Sequence, residues 1–219
     1  MDFWKMSAWQ IFIAGGPIMW PILLCSIFAL AIMVEKMLYL HKISIDVKAF
    51  LDSVVEKLKH GNVKDAVSLC ENSNAPVASI LKAGILKYNF SRDEIKEAME
   101  DASLYEVPRL EKNLSALATI AHISPLLGLL GTVTGMVRAF QVIQVKATSL
   151  NPVSPGDLAG GIWEALLTTV AGLMVAIPTF VAYNFFVSRV NSVIVNMERA
   201  ATELVNFITQ HSGLARKKE

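Results

Sequence analysis

Residues 161–184 read GIWEALLTTVAGLMVAIPTFVAYN, and this stretch decides the fold. After Glu164, positions 165–188 carry no charged side chain, which is long enough for a helix to cross a bilayer. A charge at membrane depth costs on the order of 2.5–3.5 kcal/mol, so an intramembrane carboxylate usually faces a bundle interior or a water-filled path. Thr168 follows one helical turn later, with Thr169 to its side. The stretch predicts a membrane helix with a polar strip that begins at a carboxylate.

The composition of the whole chain indicates a polytopic membrane protein. Hydrophobic residues make up 53% of its 219 residues and charged residues 18%, and the mean hydropathy is +0.47. The net charge of +1 argues against a nucleic-acid partner, which requires clustered Lys and Arg. Cys25 and Cys70 are interpreted as packing residues, because no metal or redox spacing is present. No metal site and no cofactor are therefore predicted.

Three segments have the length and apolar content of membrane helices: residues 18–34, 114–137 and 160–187. Lys and Arg near their ends predict the orientation, since cytoplasmic flanks carry the excess of these residues. One side would hold Lys36, Lys42, Lys48, Arg109, Lys112, Arg189 and Arg199, and the other Lys5, Arg138 and Lys146. The N-terminus is then periplasmic, and the long loop and the C-terminus are cytoplasmic.

Four regions follow from this topology. Residues 1–40 form the periplasmic N-terminus and the first membrane helix, and 41–112 form a cytoplasmic helical loop. Residues 113–188 hold the second and third membrane helices, and 189–219 form a cytoplasmic helical tail. Apolar positions between 190 and 208 recur at helical spacing, so the third membrane helix is expected to continue into the cytoplasm and pack on the loop helices.

Local signals place the helix ends. In the loop, helical spacing covers 47–58, Gly61 and Asn62 stop it, and shorter helices are expected at 63–69 and 77–86. Ser91 and Glu94 form a capping box, after which the helical pattern is expected to continue through Pro108 into the membrane. The turn-forming residues 151–157 separate the second and third membrane helices. A helix that begins at Pro155 would place Glu164 about 13 Å along it, near the outer third of the membrane.

The second membrane segment contains SPLLGLLGTVTGM at 124–136. Gly128, Gly131 and Gly135 form a small-residue stripe that is expected to lie against a neighbouring helix. The role of Thr132 is open on local evidence. A threonine that bonds to its own helix's carbonyl is the commoner case, and lining of a pore is the alternative.

These two stretches, together with GGPIMWPILLCS at 15–26 and the charged helical loop, resemble the MotA/TolQ/ExbB proton-channel family over essentially the whole chain. The compact N-terminus is more similar to ExbB-type than to TolQ-type chains. The absence of a fourth membrane helix speaks against the flagellar MotA branch. The resemblance implies an all-α membrane protein with three transmembrane helices and long cytoplasmic helical extensions.

The resemblance also implies a molecular motor in the bacterial inner membrane. Such subunits form a ring, understood to be a homopentamer, around two copies of a single-span ExbD- or TolR-type partner that carries a membrane Asp. Proton motive force at their interface then energises a TonB- or TolA-type periplasm-spanning protein and so supports protein transport. Residues 113–188 would be the channel core, with Thr132 and Thr169 on its inner face and Glu164 as the family's third-helix glutamate. Because the family commonly has a small residue at 168, whether Thr168 or Thr169 faces the lumen is open.

A physical argument points the same way. Extracting work from a membrane potential needs an ionisable group with access to both sides, and Glu164 near one end cannot supply the whole relay. A partner is therefore expected to supply a second carboxylate. Two other classes stay open: a secondary transporter subunit, which usually shows inverted repeats, and a non-conducting membrane scaffold in which Glu164 snorkels and the threonines pack. An enzyme is least favoured, because HExxH, GxSxG and a Gly-rich phosphate loop do not occur.

Overall fold

The computed structural model describes residues 7–148 and 154–216, which form eight α-helices and no strand. Lys5 and the turn formers at 151–153 lie outside the described residues. The helices are α1 (Ala8–Ala14), α2 (Met19–Ile43), α3 (Val47–Lys59), α4 (Val63–Glu71), α5 (Pro76–Leu86), α6 (Arg92–Glu111), α7 (Leu114–Thr148) and α8 (Pro155–Arg216). Three of the described helices, α2, α7 and α8, include stretches long and apolar enough to cross a bilayer. The expected all-α membrane fold is confirmed.

Helix starts and stops follow local chemistry closely. At α6 the Ser91 hydroxyl accepts from the Glu94 amide, and the Glu94 carboxylate accepts from the Ser91 amide at 2.9 Å, so the capping box is present. Gly61 ends the α3 region with a φ of +76°, which glycine adopts without steric cost. Helix α8 begins at Pro155 and continues without interruption to Arg216 over 62 residues, so the tail extends the third membrane helix as expected.

The junction after α6 differs from the expectation. The helical pattern was expected to pass through Pro108 into the membrane, but α6 ends at Glu111 and α7 begins at Leu114. Lys112 is extended, and Asn113 has a φ of 64°. Asparagine is among the few residues other than glycine that tolerate this left-handed conformation, so it can end a helix. The Asn113 side chain also donates to Glu35 Oε2 at 2.7 Å, which holds the start of α7 beside α2.

The chain forms two compact units. The first comprises the described parts of Met1–Glu35 and Asn113–Phe185, and the second those of Lys36–Lys112 and Phe186–Glu219. The second unit has a core of fully buried aliphatic side chains, including Val54, Leu81, Ile85, Leu204 and Ile208.

Lys36 is an unusual member of the second unit, because its side chain is only 2% exposed. Its Nζ donates to the carbonyl of Leu110 at 2.9 Å. The last carbonyls of a helix have no partner within it, so a buried ammonium there satisfies the end of α6 and complements the helix dipole. A lysine that sequence alone assigns to a membrane flank is thus a structural cap.

Candidate functional site

The first unit is built on a close approach of α7 and α8. A Cβ added to Gly128 would lie 3.0 Å from the Thr168 carbonyl oxygen and from Thr169 Cα, and one added to Gly135 would lie 2.7 Å from the Gly161 carbonyl oxygen. At Gly131 an added Cβ would overlap the Thr168 side chain. The three glycines therefore lie against α8 of the same chain, and any larger residue there would push the two backbones apart.

The two adjacent threonines of α8 occupy different environments. Thr168 is 1% exposed, lies over Gly131 and donates to the Ala165 carbonyl at 2.8 Å. Thr169 is partly exposed, and its hydroxyl is 3.3 Å from both the Gly128 carbonyl oxygen on α7 and the Ala165 carbonyl oxygen on its own helix. Thr168 is consequently a packing residue within the subunit, whereas Thr169 keeps part of its surface free.

Thr132 is partly exposed, and its hydroxyl donates to the Leu129 carbonyl of its own helix at 2.6 Å. This is the commoner local arrangement for a membrane threonine. Its position relative to α8 follows from the glycine contacts. Gly131 lies against Thr168, and Gly135 lies against Gly161 and Ala165, so in this antiparallel pair Glu164 is level with Gly135, about one helical turn along α7 from Thr132.

The Glu164 carboxylate forms an ion pair with Arg138 of α7, whose guanidinium Nη1 donates to Oε1. The Glu164 side chain is 17% exposed and that of Arg138 48% exposed. The carboxylate also lies directly over Gly16, in the turn between α1 and α2. We call Gly16, Arg138 and Glu164 the Glu164 cluster. Three separate parts of the chain meet there.

Glu164 was predicted from the sequence as a site residue, whereas its contacts with Arg138 and Gly16 were not predicted. Arg138 was placed on the same side of the membrane as the outer end of α8 by charge counting, and a short connection between two antiparallel helices could have suggested their pairing. Gly16 carried no comparable signal. Its role depends on a turn conformation and on a contact with a residue far away in sequence.

His122, in the membrane part of α7, is a titratable side chain outside the Glu164 cluster. Its Nδ1 lies 2.6 Å from the Ala118 carbonyl oxygen, and because a carbonyl only accepts, Nδ1–H is the donor. The ring meets Phe180 edge to face with 6.1 Å between ring centroids. His122 and the Glu164 cluster are thus separate features. Across the described residues, the structure forms no group of three or more His, Cys, Asp or Glu side chains able to hold a metal ion.

The fold and these side chains define a multi-pass helical membrane protein in which a close-packed helix pair carries partly exposed hydroxyls and one ion-paired carboxylate. The chain belongs to the MotA/TolQ/ExbB proton channel family, whose model matches residues 72–199. This match includes α7 and the membrane part of α8, and so Arg138, Glu164 and all the threonines discussed above.

Curated relatives agree with the family match. The chain is 30% identical over 190 residues to a putative biopolymer transport protein ExbB homolog of Methanothermobacter thermautotrophicus, covering 86% of this chain and 66% of that protein. It is 34% identical over 174 residues to a putative ExbB-like protein of Synechocystis, covering 79% and 81% of the two chains. The Tol-Pal system protein TolQ of Haemophilus influenzae is 42% identical over 97 residues, covering 44% of this chain and 40% of that one.

Proposed function

We propose that this chain is the channel-forming subunit of an inner-membrane complex that uses proton motive force to energise a TonB- or TolA-type periplasm-spanning protein. The ExbB-like assignment is favoured over the TolQ-like one because the ExbB-named relatives align with 57–86% of this chain, against 44% for the TolQ relative. The N-terminus is periplasmic and the C-terminus cytoplasmic in this proposal, as the flanking Lys and Arg indicate.

One observation carries the mechanism: the membrane parts of α7 and α8 hold partly exposed hydroxyls at Thr132 and Thr169 but only one carboxylate. Between positions 114 and 148, and between 158 and 188, Glu164 is the sole acidic residue. Hydroxyls accept and donate hydrogen bonds but do not titrate at physiological pH. They can therefore hydrogen-bond to a proton-carrying group, but they cannot themselves be that group. The carrier is therefore assigned to a partner, an ExbD- or TolR-type single-span helix with a membrane Asp.

In the proposed assembly, several copies of the subunit, expected to number five, surround that partner helix. A single three-helix subunit cannot enclose another helix, so a closed ring is the simplest solution. Thr132 and Thr169 face the partner's carboxylate, and Glu164 tunes the field and the water at the outer entrance. Thr168 is not assigned to the path, because its side chain is buried against Gly131.

Proton flux into liposomes, with and without the co-expressed partner, tests this function. The Thr132→Val, Thr169→Val double variant keeps the shape of both side chains and removes both hydroxyls, so we expect ring assembly to persist and partner-dependent flux to fall. The matched control is Thr134→Val, Thr179→Val, which removes two hydroxyls of the same helices that are not assigned to the path; they bond to the carbonyls of Leu130 at 3.1 Å and Val175 at 2.6 Å. Equal flux in the two double variants would reject Thr132 and Thr169 as path residues.

The topology has a separate test. A single cysteine introduced at Ser53, in α3, should be protected from a membrane-impermeant maleimide in intact cells and react after the inner membrane is opened. Labelling in intact cells would reverse the proposed orientation. Native mass spectrometry in mild detergent would test the ring, and only monomers with and without the partner would contradict it.

A further inference from the structure

The Glu164 cluster brings together three parts of the first unit that local sequence signals do not connect. Glu164 comes from the first turns of α8, Arg138 from the C-terminal part of α7, and Gly16 from the turn that precedes α2. A carboxylate at the end of a membrane helix could remain mobile and solvated. Here it is held between a guanidinium and a backbone turn, and its side chain is only 17% exposed.

Gly16 makes room for the carboxylate. A Cβ added at this position would overlap Glu164 Oε1, lie 2.8 Å from Glu164 Cδ and approach Arg138 Nη1 to 3.4 Å. Gly16 also has a φ of +72°, a backbone conformation that residues other than glycine rarely adopt. Gly61 has nearly the same backbone, with a φ of +76°, but no atom lies within 4 Å of an added Cβ. The two glycines thus share a backbone requirement and differ in what they make space for.

Arg138 reaches Glu164 because helical side chains lean toward the N-terminus of their own helix. In α7 that direction leads from Arg138 toward the level of Gly135, where Glu164 lies opposite. A planar guanidinium suits a carboxylate better than an ammonium does, because its donors are fixed in a fork. At membrane depth each charge is costly alone, so each member of the pair makes the other tolerable.

We infer that Arg138 and Gly16 are positioning residues for Glu164, which works as half of an ion pair and not as a free carboxylate. Arg138 holds the carboxylate by charge at the level of Gly135, and Gly16 leaves the space that this position requires. This inference rests on the proposed function, in which Glu164 acts at the outer entrance of the proton path.

A double-mutant cycle on the purified full-length protein tests the pair without reference to transport. Arg138→Gln and Glu164→Gln should each lower the thermal midpoint in detergent, and the double variant should be lowered no further than the more affected single variant, because the second change removes an interaction already lost. Arg138→Lys keeps the charge and loses the fork, so it should recover part of the midpoint. Additive effects of the two single changes would overturn the pairing.

Partner-dependent proton flux in liposomes then tests positioning. Arg138→Gln should lower flux on the order of tenfold or more, as misplacement of a functional group does, with Arg138→Lys in between. Gly16→Ala should give the same loss with Arg138 and Glu164 both present. Gly61→Ala is the control, since it imposes similar backbone strain and displaces nothing.

The outcomes separate this inference from the proposed function. Loss of flux in Gly16→Ala and Arg138→Gln, with normal flux in Gly61→Ala, supports it. Normal flux in Arg138→Gln, together with non-additive thermal midpoints in the double-mutant cycle, would overturn the positioning role. The channel assignment would then still be tested separately by the Thr132 and Thr169 variants. A wild-type protein without partner-dependent flux would overturn both.

Discussion

The two units of the chain differ in how each one is packed internally. In the unit that contains α3 to α6, large aliphatic side chains such as Leu81 are buried, at 0% exposure. In the unit that contains α7 and the first part of α8, the two helices approach each other closely at Gly128, Gly131 and Gly135, and many large side chains, such as Met174 at 70%, are exposed. Burial of apolar surface stabilises a structure in water. It does little between helices in lipid, where close backbone packing takes its place.

The largest expected effect is the loss of a buried leucine in the second unit. Leu81→Ala should destabilise the protein by about 2–5 kcal/mol, because the cavity it leaves cannot close fully. Leu24→Ala, on the exposed face of α2, makes the same chemical change at a side chain that is 54% exposed, and should stay within about 0.5 kcal/mol. Denaturation of both variants in detergent measures the difference. Equal losses would mean that the two units share one mode of stabilisation.

The first unit should respond to added volume instead. Gly131→Ala forces the new methyl into the Thr168 side chain and should cost about 1–3 kcal/mol. Gly160→Ala is the matched control, because it is also helical and has no atom within 4 Å of the added carbon. Thermal midpoints in detergent report the effect. A drop as large in Gly160→Ala would point to the helix backbone and not to the α7–α8 contact.

Cys70 allows a pH test of burial in the second unit. Burial raises the pKa of this thiol from 9.0 to about 11, with the Lys82 ammonium opposing the rise and the Glu71 carboxylate adding to it. The folded state thus resists ionisation, so its stability is complete below pH 9 and falls between pH 9 and 11. At pH 10 the loss relative to pH 8 should be on the order of 1 kcal/mol. Cys70→Ala lacks this component, so parallel pH profiles of variant and wild type would contradict the assignment.

The smallest effect is expected at a surface ion pair of the same unit. Lys82 Nζ lies 2.7 Å from Glu71 Oε1, but the two side chains are 36% and 52% exposed. Water and salt screen such pairs, so Lys82→Met should change stability by no more than about 1 kcal/mol, and by less in high salt. Thermal melts at two salt concentrations check this. A loss that persists in high salt would indicate packing by the lysine chain rather than charge.

Much of the local structure could be predicted from sequence because its causes lie within a few residues. Three apolar segments predicted the membrane helices, Ser91 with Glu94 predicted the start of α6, and Pro155 predicted the start of α8. Helical spacing between 190 and 208 predicted that α8 continues beyond the membrane. The break at Asn113 was missed, because the preceding residues retain helical character and the stop depends on one left-handed residue whose side chain is held by Glu35.

The candidate site divides along the same line. Sequence by itself determined that Glu164 is a carboxylate at the head of a membrane helix and that α7 carries a glycine stripe, since both depend only on residue type and helical period. Only the tertiary structure decided that this stripe meets α8 of the same chain, that Thr168 is packed while Thr169 is partly exposed, and that Glu164 pairs with Arg138 over Gly16. Those contacts join residues far apart in the chain, and the register of two antiparallel helices, which no local pattern encodes, sets which side chains meet.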